Sequence, residues 1–106
     1  MGLKIRCNKE KCHVRFDGEL TIYKVAEYRQ KLLDACKMDK DVEVDLSAID
    51  EIDTGGLQLL AALGRAVNDA GNSMVCVQPS AVTADVFELC RFYDVMQCVL
   101  DDGSPI

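Results

Sequence analysis

"SAIDEIDTGGLQLL", residues Ser47–Leu60, changes character in its middle. It opens acidic and turn-prone, reaches Asp53-Thr54, crosses Gly55-Gly56 and becomes leucine-rich. Leu57, Leu60, Ala61, Gly64 and Val67 recur at helical spacing, which predicts a helix over about Gly55–Asp69. Gly71-Asn72 supplies its stop signal. A hydroxyl residue at such a helix mouth has four readings: catalysis, phosphate binding, plain capping, or acceptance of a regulatory phosphate. Capping is the commonest use of Thr there. Gly55 and Gly56 remove side-chain bulk from the first turn, so a partner backbone or a phosphate can approach closely, and Gly56 equally suits close helix–sheet packing. The helix end adds partial positive charge. The glycine pair is no P-loop, because no "GK[ST]" follows. For Asp53 three roles are open: positioning the Thr54 hydroxyl, contacting basic groups of a partner, or capping the amides that follow.

Upstream, Val42, Val44 and Leu46 alternate with acids in "VEVDL", as one face of a strand does. "SAIDEID" then reads as the loop that leads to the helix. Its acids, with Asp45, are expected to be solvated rather than to hold a divalent cation. Leu3–Cys7 and Cys12–Phe16 are strand-like runs joined by the polar "NKEK", a hairpin. "DGEL" reads as a turn into a helix over about Ile22–Met38, with Val25, Tyr28, Leu32, Ala35 and Cys36 on its buried face. Downstream, Met74–Val77 reads as an interior strand. Ser80 is placed to cap a helix over about Ala81–Cys90. Met96–Val99 reads as a last short strand and residues 101–106 as a frayed tail. The predicted order is β-β-α-β-α-β-α-β: an α/β fold with a single mixed sheet and helices largely on one face.

The 106 residues suit one domain with a core over about residues 3–100. The composition, 49% hydrophobic and 28% charged, is that of a globular protein. No apolar run approaches the ~20 residues that span a bilayer, so no membrane insertion is expected. The N-terminus lacks a signal-peptide core, and a cytoplasmic location is expected. A net charge of −6 argues against non-specific nucleic-acid binding and suits a partner with a basic surface. There are six cysteines. Without an export signal, disulfides are not expected, and most of the cysteines read as small core hydrophobes. Cys7-x4-Cys12-His13 is the one cluster with any resemblance to a metal site, but its spacing is long and no second pair follows. No metal or cofactor is expected. With one His, no nucleophile–base arrangement is visible, so the chain is expected not to be an enzyme.

"GELTIY" before a helix, "VDLSAIDEIDTGGLQLL" and "VQPSAVTADVFELCRF" together resemble the STAS family, the sulfate transporter and anti-sigma factor antagonist domains. The likeness covers nearly the whole chain, and "D-[ST]-x-G-L", here Asp53–Leu57, is its most specific part. "GELTIY" and "DTGGLQLL" also resemble STAS proteins of bacterial chemotaxis and signalling systems. The resemblance implies a binding module, regulated by partner switching, that takes part in signal transduction and transcription regulation. It implies Thr54 as a phosphoacceptor, modified by a serine/threonine kinase of the histidine-kinase-like ATPase fold (an anti-sigma factor) and reset by a phosphatase. The unphosphorylated form would bind the partner and the phosphorylated form would release it. Asp53, Gly55, Gly56, Gly18 and Glu19 are then candidate partner-binding residues, and a monomer or weak dimer is expected. An alternative within the same family is a subunit that braces the ATPase of an ABC-type lipid transporter without phosphorylation. The chain departs from the family pattern at Thr21, where many antagonists carry an acid, at Gly55, and in lacking an evident C-terminal helix.

Overall fold

The computed structural model describes residues 2–35 and 39–91. The elements in chain order are β1 (Leu3–Cys7), β2 (Lys11–Leu20), α1 (Val25–Ala35), β3 (Asp41–Ile52), α2 (Thr54–Asp69), β4 (Met74–Val77) and α3 (Ala81–Leu89). They form one four-stranded sheet in the order β1-β2-β3-β4. The β1–β2 hairpin is antiparallel, whereas β2–β3 and β3–β4 are parallel and joined through α1 and α2. This is the expected mixed α/β fold. The expected strand at Met96–Val99, the tail and any C-terminal helix lie outside the described residues.

Side-chain alternation builds the core. Cys12, Val14 and Phe16 of β2 and Val42, Val44 and Leu46 of β3 are buried. Their strand neighbours on the other face are polar or charged: Lys11 and His13 approach Glu43, and Arg15 approaches Asp45. Leu57, Leu60, Leu63 and Val67 of α2, Tyr28 and Leu32 of α1, and Phe87 of α3 complete one continuous cluster. Each such side chain contributes about 1.5–3 kcal/mol on full burial. Ser80 caps α3 as expected, its Oγ accepting the Thr83 N–H at 3.3 Å.

Two expected loops are strand. "DGEL" is the end of β2, and "SAIDEI" is the end of β3. The pairing explains why the pattern hid them. Arg15 faces Asp45 but Asp17 faces Ala48; Gly18 faces Ile49 but Glu19 faces Glu51. At each shift β3 carries one residue more than β2, as a β-bulge does. Burial then falls on Leu46, Ile49 and Ile52 instead of alternating. Gly18, at φ +89°, takes up the backbone turn at the second shift. The helix expected from Ile22 starts later, at Val25, because Thr21–Lys24 form a turn in which the Thr21 carbonyl accepts the N–H groups of Lys24 and Val25.

The cysteines also depart from expectation. Cys7 and Cys12 face each other across the hairpin and are joined as a disulfide. Strand register causes this, and register is not visible in composition. His13 points to the opposite face, with Nδ1 3.3 Å from Glu43, so the Cys7–Cys12–His13 cluster does not assemble.

Candidate functional site

Three chain segments meet at the C-terminal ends of β2 and β3. The end of β2 brings Gly18, Glu19 and Leu20, the turn brings Thr21 to Tyr23, and the first turn of α2 brings Asp53 to Gly56. Asp53 ties them together. Its backbone is extended (φ −127°, ψ −174°), and it is the N-cap of α2. Oδ1 accepts the Gly56 N–H at 3.0 Å, and Oδ2 accepts the Ile22 N–H at 3.0 Å. One carboxylate therefore closes the helix end and holds the β2–α1 turn against it. Burial pushes the Asp53 carboxyl up, but backbone N–H bonds from Ile22, Gly56 and Gly55 outweigh this and hold its pKa below the ordinary value.

The glycines are required by the same contact. A Cβ on Gly56 would overlap the Leu20 carbonyl, and one on Gly55 would lie 3.0 Å from Ile22 Cα. Both glycines are buried. They therefore serve the junction between α2 and the end of β2, which is the helix–sheet packing reading of Gly56.

Thr54 is the first residue of α2 and is exposed. It is not the cap, since Asp53 takes that position. Among the described residues its hydroxyl has no hydrogen-bond partner. The fold thus presents this hydroxyl to solvent at a helix N-terminus without using it. Sequence neighbours Asp50 and Glu51 are also exposed, which leaves the surroundings acidic.

Glu19 is half-buried and accepts a 2.8 Å hydrogen bond from the hydroxyl of Thr21, which is itself buried. Thr21 is thus a structural anchor for Glu19. Gly18 lies one residue further back, in the strand. Two residues outside the candidate set belong to the surface beside Thr54. Ile22 is 63% and Tyr23 88% exposed. A shallow groove of about 340 Å³ between α1 and α2 is lined by Ile22, Val25, Arg29, Gly55, Gln58 and Leu59, among others. The signal was available in sequence: both apolar residues fall off the stripe of Tyr28 and Leu32. A larger hollow, of about 490 Å³, lies on the charged face of the sheet beside Lys4, Arg6, His13 and Glu43. It contains none of the motif residues.

A family model described as "Mlab, STAS domain" matches residues 3–99. The chain belongs to the STAS family. Among solved structures, TM1081 of Thermotoga maritima, named as an anti-sigma factor antagonist, superposes with a TM-score of 0.80 at 16% identity, over 93% of this chain and 86% of that one. The Bacillus cell-fate determinant SpoIIAA in its phosphorylated form gives 0.69 at 17%, over 95% and 94%. The murine anion transporter Slc26a9 gives 0.69 at 19%, over 79% of this chain but 14% of that one. At these identities the likeness is one of fold. A search among curated proteins finds no match. Within the STAS fold, the Asp53–Leu57 motif occupies the strand-to-helix junction. Among the described residues no helix is long and apolar enough to cross a membrane.

Proposed function

We propose that this STAS domain is a non-enzymatic, phosphorylation-controlled interaction module of the anti-sigma factor antagonist kind, acting in the cytoplasm. The observation that carries the reading is the Thr54 hydroxyl, exposed at the first helical position while Asp53 does the capping. A hydroxyl that the fold does not need is available for modification. The partner is a serine/threonine kinase of the histidine-kinase-like ATPase fold, and a phosphatase resets the switch. Glu19, Asp53, Ile22 and Tyr23 lie around Thr54 on the surface the partner would cover.

The switch needs no refolding. Phosphorylation adds ~1.5–2 negative charges and three acceptor oxygens. The helix end itself tolerates that charge. At a contact surface next to Asp50, Glu51 and Asp53, the same group adds like-charge repulsion and a desolvation cost. Each ~1.4 kcal/mol of this lowers affinity tenfold.

A second reading, a brace for a transporter ATPase, draws on a different observation: both Asp53 oxygens are already bonded to backbone N–H groups, as a structural role requires. Paired affinity capture with wild type and Thr54→Glu separates the two. A histidine-kinase-like ATPase recovered with wild type alone supports the switch. A transporter ATPase recovered equally with both supports the brace and removes the switch.

A further inference from the structure

We propose that Cys7 and Cys12 form a reversible thiol–disulfide couple in which Cys7 is a site of S-thiolation by small anionic thiols. The two residues are the last facing pair of the β1–β2 hairpin before its loop, with Cα atoms 4.0 Å apart. They differ in access: Cys7 is exposed, whereas Cys12 is 3% exposed. An incoming thiolate therefore reaches the Cys7 sulfur, and the Cys12 sulfur is the leaving group.

The surroundings favour that exchange. Residues 2–16 carry five Lys or Arg against one acid, Glu10, in a chain whose net charge is −6. Arg6 and Lys9 have no ion-pair partner among the described residues, whereas Lys11 approaches Glu43 at 3.6 Å. Arg6 lies on the sheet face opposite Cys7, beside His13, and Lys9 lies in the loop that the bridge closes; this local excess of positive charge attracts an anionic thiol such as glutathione.

The hairpin does not depend on the bridge. Leu3 to Arg6 remain paired with Phe16 to His13. The loop is held by Asn8, whose Oδ1 accepts the N–H groups of Glu10 and Lys11 at 2.8 and 2.9 Å. The Asn8 N–H donates to the Lys11 carbonyl at 3.0 Å. The bridge closes only a short loop, so opening it releases little chain entropy. The couple can cycle in the folded protein.

The chemistry balances as thiol–disulfide exchange. A thiolate RS⁻ attacks Cys7 Sγ, the Cys7–Cys12 bond breaks, and its electron pair leaves as the Cys12 thiolate. Return of that thiolate onto Cys7 expels RS⁻ and restores the bridge. Attack by a second RS⁻ on the sulfur of the bound thiol instead yields RSSR and the reduced pair. The couple sits where β2 begins, at the opposite end of that strand from the Leu20 contact with α2. It acts independently of Thr54.

The test incubates the folded full chain in glutathione buffers of graded redox poise, quenches with alkylating reagent and maps every cysteine by mass spectrometry. Circular dichroism confirms that each variant is folded. The expected result is a Cys7–Cys12 link in oxidised buffer that opens in excess reduced glutathione without denaturant. In oxidised buffer, Cys12→Ser gains one glutathione on Cys7, and Cys7→Ser gains none on Cys12. A bridge that opens only in denaturant, a pair that never links, or an adduct on Cys12 would overturn the proposal.

Discussion

Asp53 and Thr54 are adjacent, and both are residue types that cap helices. Which of them caps depends on a shift of one residue in where α2 begins, and no local pattern reports that shift. The structure gives the cap to Asp53, whose carboxylate also bonds the Ile22 N–H from a different element. Two consequences can be measured in urea unfolding. Asp53→Ala should lower stability by about 1–2 kcal/mol, as expected for removal of a good N-cap. Thr54→Val should stay within about 0.5 kcal/mol of wild type, as exposed substitutions usually do. A larger loss in Thr54→Val would show that its hydroxyl is part of the fold. Asp53 also carries a pH signature. Its folded pKa lies below the ordinary carboxylate value, so its stabilising contribution is complete above the unfolded pKa. That contribution is lost as pH falls through the folded pKa. The stability difference between wild type and Asp53→Asn should therefore shrink on acidification below about pH 4. A difference that grows on acidification would contradict the assigned direction.

Element types and order were largely legible within the described residues. Strand alternation and helical spacing are local, and β1, α2, β4 and α3 begin or end close to where their patterns place them. The long ends of β2 and β3 were not legible. Two bulges break the alternation of β3, and the acidic residues it then exposes are the types that usually mark loops. These hidden ends matter, because they carry Leu20 and Ile52 up to the first turn of α2. From sequence these glycines offered space for a visitor and, at Gly56, close helix–sheet packing; the structure shows the packing, against Leu20 of β2. Gly56→Ala should therefore cost about 1–3 kcal/mol, the range for forcing atoms into a packed site, because its Cβ meets a backbone carbonyl. Gly55→Ala should cost less, since its Cβ would lie 3.0 Å from Ile22 Cα, a milder overlap than that of Gly56 with the Leu20 carbonyl. Equal and negligible effects in thermal melts would mean that α2 does not sit as close to β2 as described.

The whole molecule puts different chemistries at the two ends of its sheet. Cys7, Cys12 and a run of cations lie where β2 starts, and the capped, acidic Thr54 junction lies where β2 and β3 finish. The STAS motif was legible because "DTGGL" is contiguous in sequence. Ile22 and Tyr23 were legible only as apolar residues off the helix stripe; their place next to the motif was not, because a turn thirty-odd residues away brings them there and an Asp53 hydrogen bond holds it. On the proposed function, Thr54 is spare for folding and decisive for binding. The measurement is the affinity of the proposed kinase partner for wild type and for Thr54→Glu, with the melting temperature of each recorded alongside. Unchanged melting and an affinity lowered about tenfold or more, equivalent to ~1.4 kcal/mol or above, are expected. Equal affinities at equal stability would contradict that function.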